Sequence, residues 1–307
     1  MSGRPLLGLV GPTATGKSQA GLRLAEDLGC EIVSVDSMLV YRGMDVGTAK
    51  PTVTERARVP HHMIDVVDPS EPFSVMRFQQ EARAAIRGIE HRYGRALLVG
   101  GSGLYVRAVV DDLEFPGTDP ATRGELEREA DLLGAGPLYR RLSALDPVAA
   151  SRIQPANVRR TVRALEVAAI TGRRFSEHAT AWERFPPDRL RAAGVRIERG
   201  PLRERIRARV ASMLDAGWVE EVRALQRRGF GRWLTATQAI GYAELVRHLR
   251  GELTLEEAIA IVVRRTGNLA RRQMAWFERD PRIRWFDVGS GGAMEAVEEM
   301  RGYLEAG

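Results

Sequence analysis

Eight residues near the start of the chain, Gly11-Pro12-Thr13-Ala14-Thr15-Gly16-Lys17-Ser18, fit the pattern G-x-x-x-x-G-K-[ST]. No other stretch restricts the fold so tightly. An apolar run, Pro5 to Val10, leads into the motif and reads as a buried strand. Behind it, Ala20, Leu22, Leu24, Ala25 and Leu28 recur at helical spacing through Ser18–Leu28. A second strand is expected over Glu31–Val35. Strand, glycine loop, helix and strand form a βαβ unit, which demands a parallel sheet. The expected fold class is therefore α/β, a P-loop core on a parallel sheet.

The chemistry of such a loop follows from its backbone. Glycines let the chain wrap closely, so that successive N–H groups point at phosphate oxygens, and the helix N-terminus adds its positive dipole end. Lys17 is expected to reach the outer phosphates and Ser18 to contact Mg²⁺. The motif specifies a di- or triphosphate. ATP or another nucleotide is one such ligand, and the motif alone does not choose it.

Composition adds two constraints. Of 46 cationic residues only Lys17 and Lys50 are lysines. In a chain that otherwise writes cations as arginine, these two positions suggest a need for a compact ammonium. Charge is also unevenly spread. Residues 1–150 carry 17 basic and 20 acidic residues (net −3), residues 151–250 carry 21 and 10 (net +11), and residues 251–307 carry 8 and 10 (net −2). The +11 segment suits a polyanion such as nucleic acid, with an arginine-rich solvated surface as the alternative. A single cysteine, Cys30, excludes an intrachain disulfide and a cysteine-rich zinc module. No apolar run of about 18 residues occurs, so no membrane span is expected. The start of the chain carries no targeting pattern, and a cytoplasmic location is the expectation.

Further along, Ser74–Tyr93 reads as a helix and Arg95–Val99 as a strand closed by Gly100-Gly101-Ser102-Gly103, with a helix starting near Ser102. Asp119–Thr171 is helical in pattern with no convincing strand, and residues 172–200 read as irregular around Pro186-Pro187. Helices are expected over 201–228, 237–249 and 254–278, and a late strand over Arg282–Val288. This suggests a P-loop core begun by residues 1–118, a helical insertion over 119–199, and a helical remainder over 200–307 that completes the core.

Several residues stand out as candidates. Asp36-Ser37 ends the second strand at the carboxyl edge of the sheet, where open α/β sheets bind ligands. Asp36 there suits a magnesium ligand, a general base, or simply a turn residue. Gly100-Gly101-Ser102-Gly103 brings a second donor-rich turn to the same edge. His61 and His62 would point to opposite faces of a strand, which favours structural roles. Arg205 and Arg209 share a helix face and could clamp a diphosphate or simply be solvated. Arg271-Arg272 and Trp276-Phe277 mix charge and aromatic surface, as nucleic-acid contacts and helix-end cores both do.

Taken in order, GPTATGKS, SVDSMLVYRGMDVGTAKP, PHHMIDVVDP, LLVGGSGLYVRA, RRTVRALEV, AIGY and ARRQMAWF resemble the tRNA dimethylallyltransferases, from about residue 5 to 280. The resemblance implies transfer of a dimethylallyl group from dimethylallyl diphosphate to the exocyclic amine of the adenosine next to the anticodon, position 37, with release of pyrophosphate. It implies that Gly11, Pro12, Thr13, Ala14, Thr15, Gly16, Lys17 and Ser18 cradle the diphosphate with Mg²⁺, helped by Arg205. Asp36 matches the general base and Arg209 the pyrophosphate arginine, while Ser102 stands where the family usually has threonine. Matching tRNA-contacting positions are Asp36, Ser37, Met38 and Leu39; Ser102 and Arg123; Arg159, Arg160 and Arg163; Gln238, Gly241 and Tyr242; and Arg271, Arg272, Gln273 and Trp276. A monomer acting on the anticodon stem-loop is implied, without a membrane. Three competing readings are a P-loop small-molecule kinase, a nucleotide-dependent RNA-binding switch without catalysis, and a prenyltransferase acting on free AMP.

Overall fold

The computed structural model describes residues 4–92 and 94–306. Tyr93, expected at the end of a helix, lies outside them. Six strands form one parallel sheet: β1 (Leu6–Val10), β2 (Cys30–Ser34), β3 (His61–His62), β4 (Arg95–Gly100), β5 (Leu190–Ile197) and β6 (Ile283–Val288). Their spatial order is β3-β2-β4-β1-β5-β6. β1 lies between β4 and β5, with Leu9 opposite both Val99 and Ala193.

The period of two along each strand separates two cores. Leu7, Leu9, Ile32 and Leu97 face one side. There they meet Leu24 of α1 (Lys17–Leu28) and Met300 of the last helix. Val10, Val33, Val35 and Leu98 face the other side. That side is covered first by α3 (Val75–His91) and α4 (Gly103–Val110), through Phe78, Ile86 and Val106. A short helix, α2 (Val53–Arg58), starts from a capping box between Thr52 and Glu55.

Residues 111–185 form a compact helical unit of their own. It contains α5 (Pro120–Leu133), α6 (Ala135–Leu145), α7 (Pro147–Arg152) and α8 (Val158–Thr171), closed around Leu126, Leu138, Leu142 and Leu165. The remaining chain, 4–110 with 186–306, forms the other unit. The carboxyl-terminal part supplies α9 (Arg199–Asp215), α10 (Trp218–Arg227), α11 (Tyr242–Leu249), α12 (Leu255–Phe277) and α13 (Val297–Glu305). No helix among the described residues is long and apolar enough to cross a membrane.

Three details differ from the sequence reading. The stretch 172–200, read as irregular, contains β5, an interior strand between β1 and β6. Its core residues are Ala192, Ala193, Gly194 and Val195, small because both faces are covered. A Cβ on Gly194 would come within 2.5 Å of Ile283. Small side chains lower apparent strand propensity, so the strand was hidden. The helix expected over 201–228 breaks into α9 and α10 at Gly217, whose φ is +90°. The helix expected from 237 starts only at Tyr242, after Gly241 at φ +97°.

Candidate functional site

The loop between β1 and α1 is held in place from several directions. Gly11 has φ +139°, and a Cβ there would stand 2.7 Å from the Val195 carbonyl, so only glycine lets the loop lie against β5. Thr15 Oγ1 donates to the Pro12 carbonyl at 2.9 Å. Arg205 Nε donates to the Ala14 carbonyl at 2.7 Å and its Nη1 to the Ser290 carbonyl at 2.6 Å. Ala293 N–H donates to the Thr15 carbonyl at 2.7 Å. Arg205 therefore braces the loop while also lining its cavity.

Lys17 is 8% exposed, and its ammonium donates to the Pro12 carbonyl and to Thr15 Oγ1. Burial, followed by the nearby Arg209 guanidinium, lowers its pKa to about 7, and Asp36 opposes the shift. Burial also lowers Arg209 from its ordinary value, again against Asp36. Arg209 Nη2 reaches the Thr48 carbonyl at 3.5 Å. Asp36 Oδ1 accepts from the Met38 N–H at 2.8 Å, which fixes the carboxylate at the strand end. Two crowded cations and one carboxylate leave the site short of negative charge. An anion entering it meets electrostatics arranged in advance.

Two cavities meet at this point. The first, about 560 Å³, is lined by Thr13–Ser18 of the loop, by Gly100 and Gly101, by Arg205 and Arg209, and by Gln273. The second, about 460 Å³, is lined by Ser37, Met38, Gln238, Arg265, Asn268 and Arg272 among others. Thr13, Asp36, Thr48 and Arg209 line both.

Not every expected residue joins them. Ser102 lines neither cavity; its N–H donates to the Val35 carbonyl at 3.3 Å and its carbonyl begins α4. Tyr242 was expected at RNA but is fully buried, donating to Glu221 Oε1 at 2.7 Å. Gly241 is a packing position, since a Cβ there would stand 2.1 Å from the Trp218 ring. Trp276 lies over Gly103, where a Cβ would approach its ring to 1.7 Å. Arg271 is exposed and donates to Asn268 Oδ1 at 2.6 Å.

Within the 111–185 unit, Arg123 and Arg163 both pair with the fully buried Glu166, at 2.6 and 2.8 Å. Arg163 also donates to the Gly117 carbonyl. These two arginines neutralise a buried carboxylate. Arg159 and Arg160 are exposed on α8.

The second lysine is structural. Lys50 Nζ donates to the Tyr41 carbonyl, Asp45 and Asp65 at 2.8, 2.5 and 2.6 Å and ties down the segment 41–65. His61 and His62 take separate partners, the Val59 carbonyl and Glu31.

The sequence reading missed Thr48, Val262, Arg265, Thr266, Asn268 and Leu269, all on the second cavity. The signal was available in the helical spacing of 262, 265, 266, 269 and 272 along α12.

Comparison with known proteins sets this geometry among relatives. A family model described as IPP transferase matches residues 39–280, and one described as isopentenyl transferase matches residues 5–64. The chain is 49% identical over 303 residues to a tRNA dimethylallyltransferase of Desulforudis audaxviator, covering 98% of each. It is 49% identical to one from Streptomyces coelicolor, covering 96% of this chain and 93% of the other. The crystal structure of a tRNA isopentenylpyrophosphate transferase from Bacillus halodurans superposes with a TM-score of 0.70 at 40% identity, covering 99% and 97%. A eukaryotic dimethylallyltransferase captured acting on tRNA gives 0.81 at 25% identity, covering 97% of this chain and 77% of the other. The likeness to these relatives runs across nearly the full length, and the chain belongs to the tRNA dimethylallyltransferase family.

Proposed function

We propose that the protein transfers a dimethylallyl group from dimethylallyl diphosphate to the exocyclic amine of the adenosine next to the anticodon, position 37, of tRNA. The observation that carries this reading is the pair of cavities joined at Thr13, Asp36, Thr48 and Arg209. A single nucleotide site would need only the first. A two-substrate transfer needs two entrances that meet at the reacting atoms.

The diphosphate occupies the first cavity, against the loop N–H groups, Lys17 and Arg209. The target adenine, extruded from the anticodon loop, enters the second cavity. Asp36, at their junction, accepts the proton of the amine as nitrogen bonds to the allylic carbon. The carbon–oxygen bond breaks, and pyrophosphate leaves with the electron pair. Lys17 and Arg209 stabilise that departing charge.

Mg²⁺ fits this donor set. Ser18 lines the cavity that takes the diphosphate, and a hard ion that keeps its waters needs only one or two protein oxygens beside the substrate phosphates. Bound there, it would add further stabilisation to the leaving diphosphate. The exposed Arg159 and Arg160 make the 111–185 unit the proposed additional tRNA contact, held by phosphate attraction. A cytoplasmic site of action suits a tRNA substrate.

The test is one incubation of labelled dimethylallyl diphosphate with unmodified tRNA or free AMP, beside ATP alone. Label in tRNA is expected. Label only in AMP, or ATP turnover without label transfer, would overturn the reading.

A further inference from the structure

Gln273 was expected among RNA contacts, yet its side chain reaches the phosphate loop. Gln273 Oε1 accepts a hydrogen bond from the Thr13 N–H at 2.8 Å, across 260 residues of sequence. Its amide nitrogen lies against the Gly101 α-carbon, where a Cβ would approach it to 2.4 Å. One carboxamide thus touches both glycine turns at the sheet edge.

The helix that carries it makes the contact informative. Val262, Arg265, Thr266, Leu269 and Arg272 of α12 line the second cavity, while Gln273 lines the first. Thr13, which Gln273 holds, lines both. A ligand that shifts α12 from the second cavity therefore moves the acceptor on Thr13. The loop also has a position open to such control. Ala14, next to Thr13, holds a left-handed φ of +64°, a conformation that persists for alanine only when its surroundings impose it.

We propose that Gln273 is a positioning residue that couples the two cavities, so that an occupant of the second sets the loop for the diphosphate in the first. The inference rests on the two-substrate reading above. Coupling of this kind is a free energy shared by both ligands, so each tightens the other equally.

The experiment measures the affinity of the full-length protein for inorganic pyrophosphate, with and without a saturating unmodified anticodon stem-loop. No transfer can occur with these probes. In the wild type the stem-loop is expected to tighten pyrophosphate by at least about fivefold. Gln273→Leu removes the acceptor, and the ratio should fall to about one. Gln273→Glu keeps an acceptor for Thr13 N–H. Its added charge weakens pyrophosphate in both states, but the ratio should survive. Thermal melting of each variant reports any loss of fold, which a coupling ratio does not follow. A wild-type ratio of one, or a Gln273→Leu ratio equal to wild type, would overturn the proposal. So would loss of the ratio in Gln273→Glu. Label transfer by the wild type, run in parallel, separates the two claims. If transfer succeeds and the ratio is absent, only the coupling fails; if transfer fails, the two-substrate reading falls and takes the coupling with it.

Discussion

Lys17 gives the site a measurable proton linkage. Its pKa in the free protein is lowered to about 7, by burial first and by Arg209 second. At pH 8 a group with that value is about one-tenth protonated. A diphosphate placed against it restores the charge, because an adjacent anion favours the ammonium. Binding at pH 8 should therefore take up about 0.9 proton, at pH 7 about 0.5, and at pH 6 about 0.1. The sign follows from the free value. Affinity is fully developed below pH 7 and weakens as pH rises above it. The terminal phosphate of dimethylallyl diphosphate, an ester with a second pKa near 6, is already ionised at pH 8, so the ligand contributes little to the count there. Calorimetry of dimethylallyl diphosphate binding at pH 8 without RNA, in buffers of different ionisation enthalpy, yields the number directly. Lys17→Arg supplies the control. A guanidinium stays charged, so uptake should vanish even where binding persists, and the planar group should bind less tightly. Zero uptake by the wild type at pH 8 would refute the assignment of a desolvated Lys17 as a phosphate ligand. Stability carries the same linkage. The folded chain holds fewer protons than the unfolded between pH 7 and 10.5, so this group's contribution to stability rises with pH across that window.

Other expectations follow from single contacts. Asp36→Asn should lower single-turnover transfer by roughly 10²–10⁴-fold while stem-loop affinity stays near wild type, as measured by rapid quench and a binding isotherm. Arg160→Ala should reduce the salt slope of stem-loop binding by about one unit with melting temperature unchanged, since this arginine is exposed. Arg163→Ala should instead lower the melting temperature, because it leaves the fully buried Glu166 with Arg123 as its remaining cationic partner. Lys50→Met should destabilise by about 1–3 kcal/mol in denaturant titration, because the Tyr41 carbonyl loses its buried donor, while Asp45 is solvated and Asp65 keeps Arg56.

The parts of this molecule most legible in sequence are those that local chemistry dictates. The glycine loop, its flanking strand and helix, and Asp36 at the sheet edge all follow from spacing and residue type. Pairings across the chain are less legible. Nothing local marks Gln273 as a partner of Thr13, because the bond spans 260 positions. Arg163 and Arg160 look alike in a basic segment, yet Glu166 on the next helical turn claims one of them. Tyr242 stood among the expected tRNA contacts by resemblance alone, and only the packed core around Trp218 and Glu221 shows that its hydroxyl is engaged. β5 escaped because packing on both faces selects alanine and glycine, which carry little strand signal of their own.

The proposed reaction brings two substrates together at Asp36. Its most direct test is the position and number of groups transferred when both are present. Unmodified anticodon stem-loop and dimethylallyl diphosphate are mixed with wild type or Asp36→Asn, and the RNA is digested and analysed by mass spectrometry. The wild type should place one dimethylallyl group on the exocyclic nitrogen of the adenosine next to the anticodon. Asp36→Asn should bind both substrates and leave that nucleoside unmodified on the same timescale. Wild-type modification at another nucleoside, or equal product from both proteins, would contradict the account.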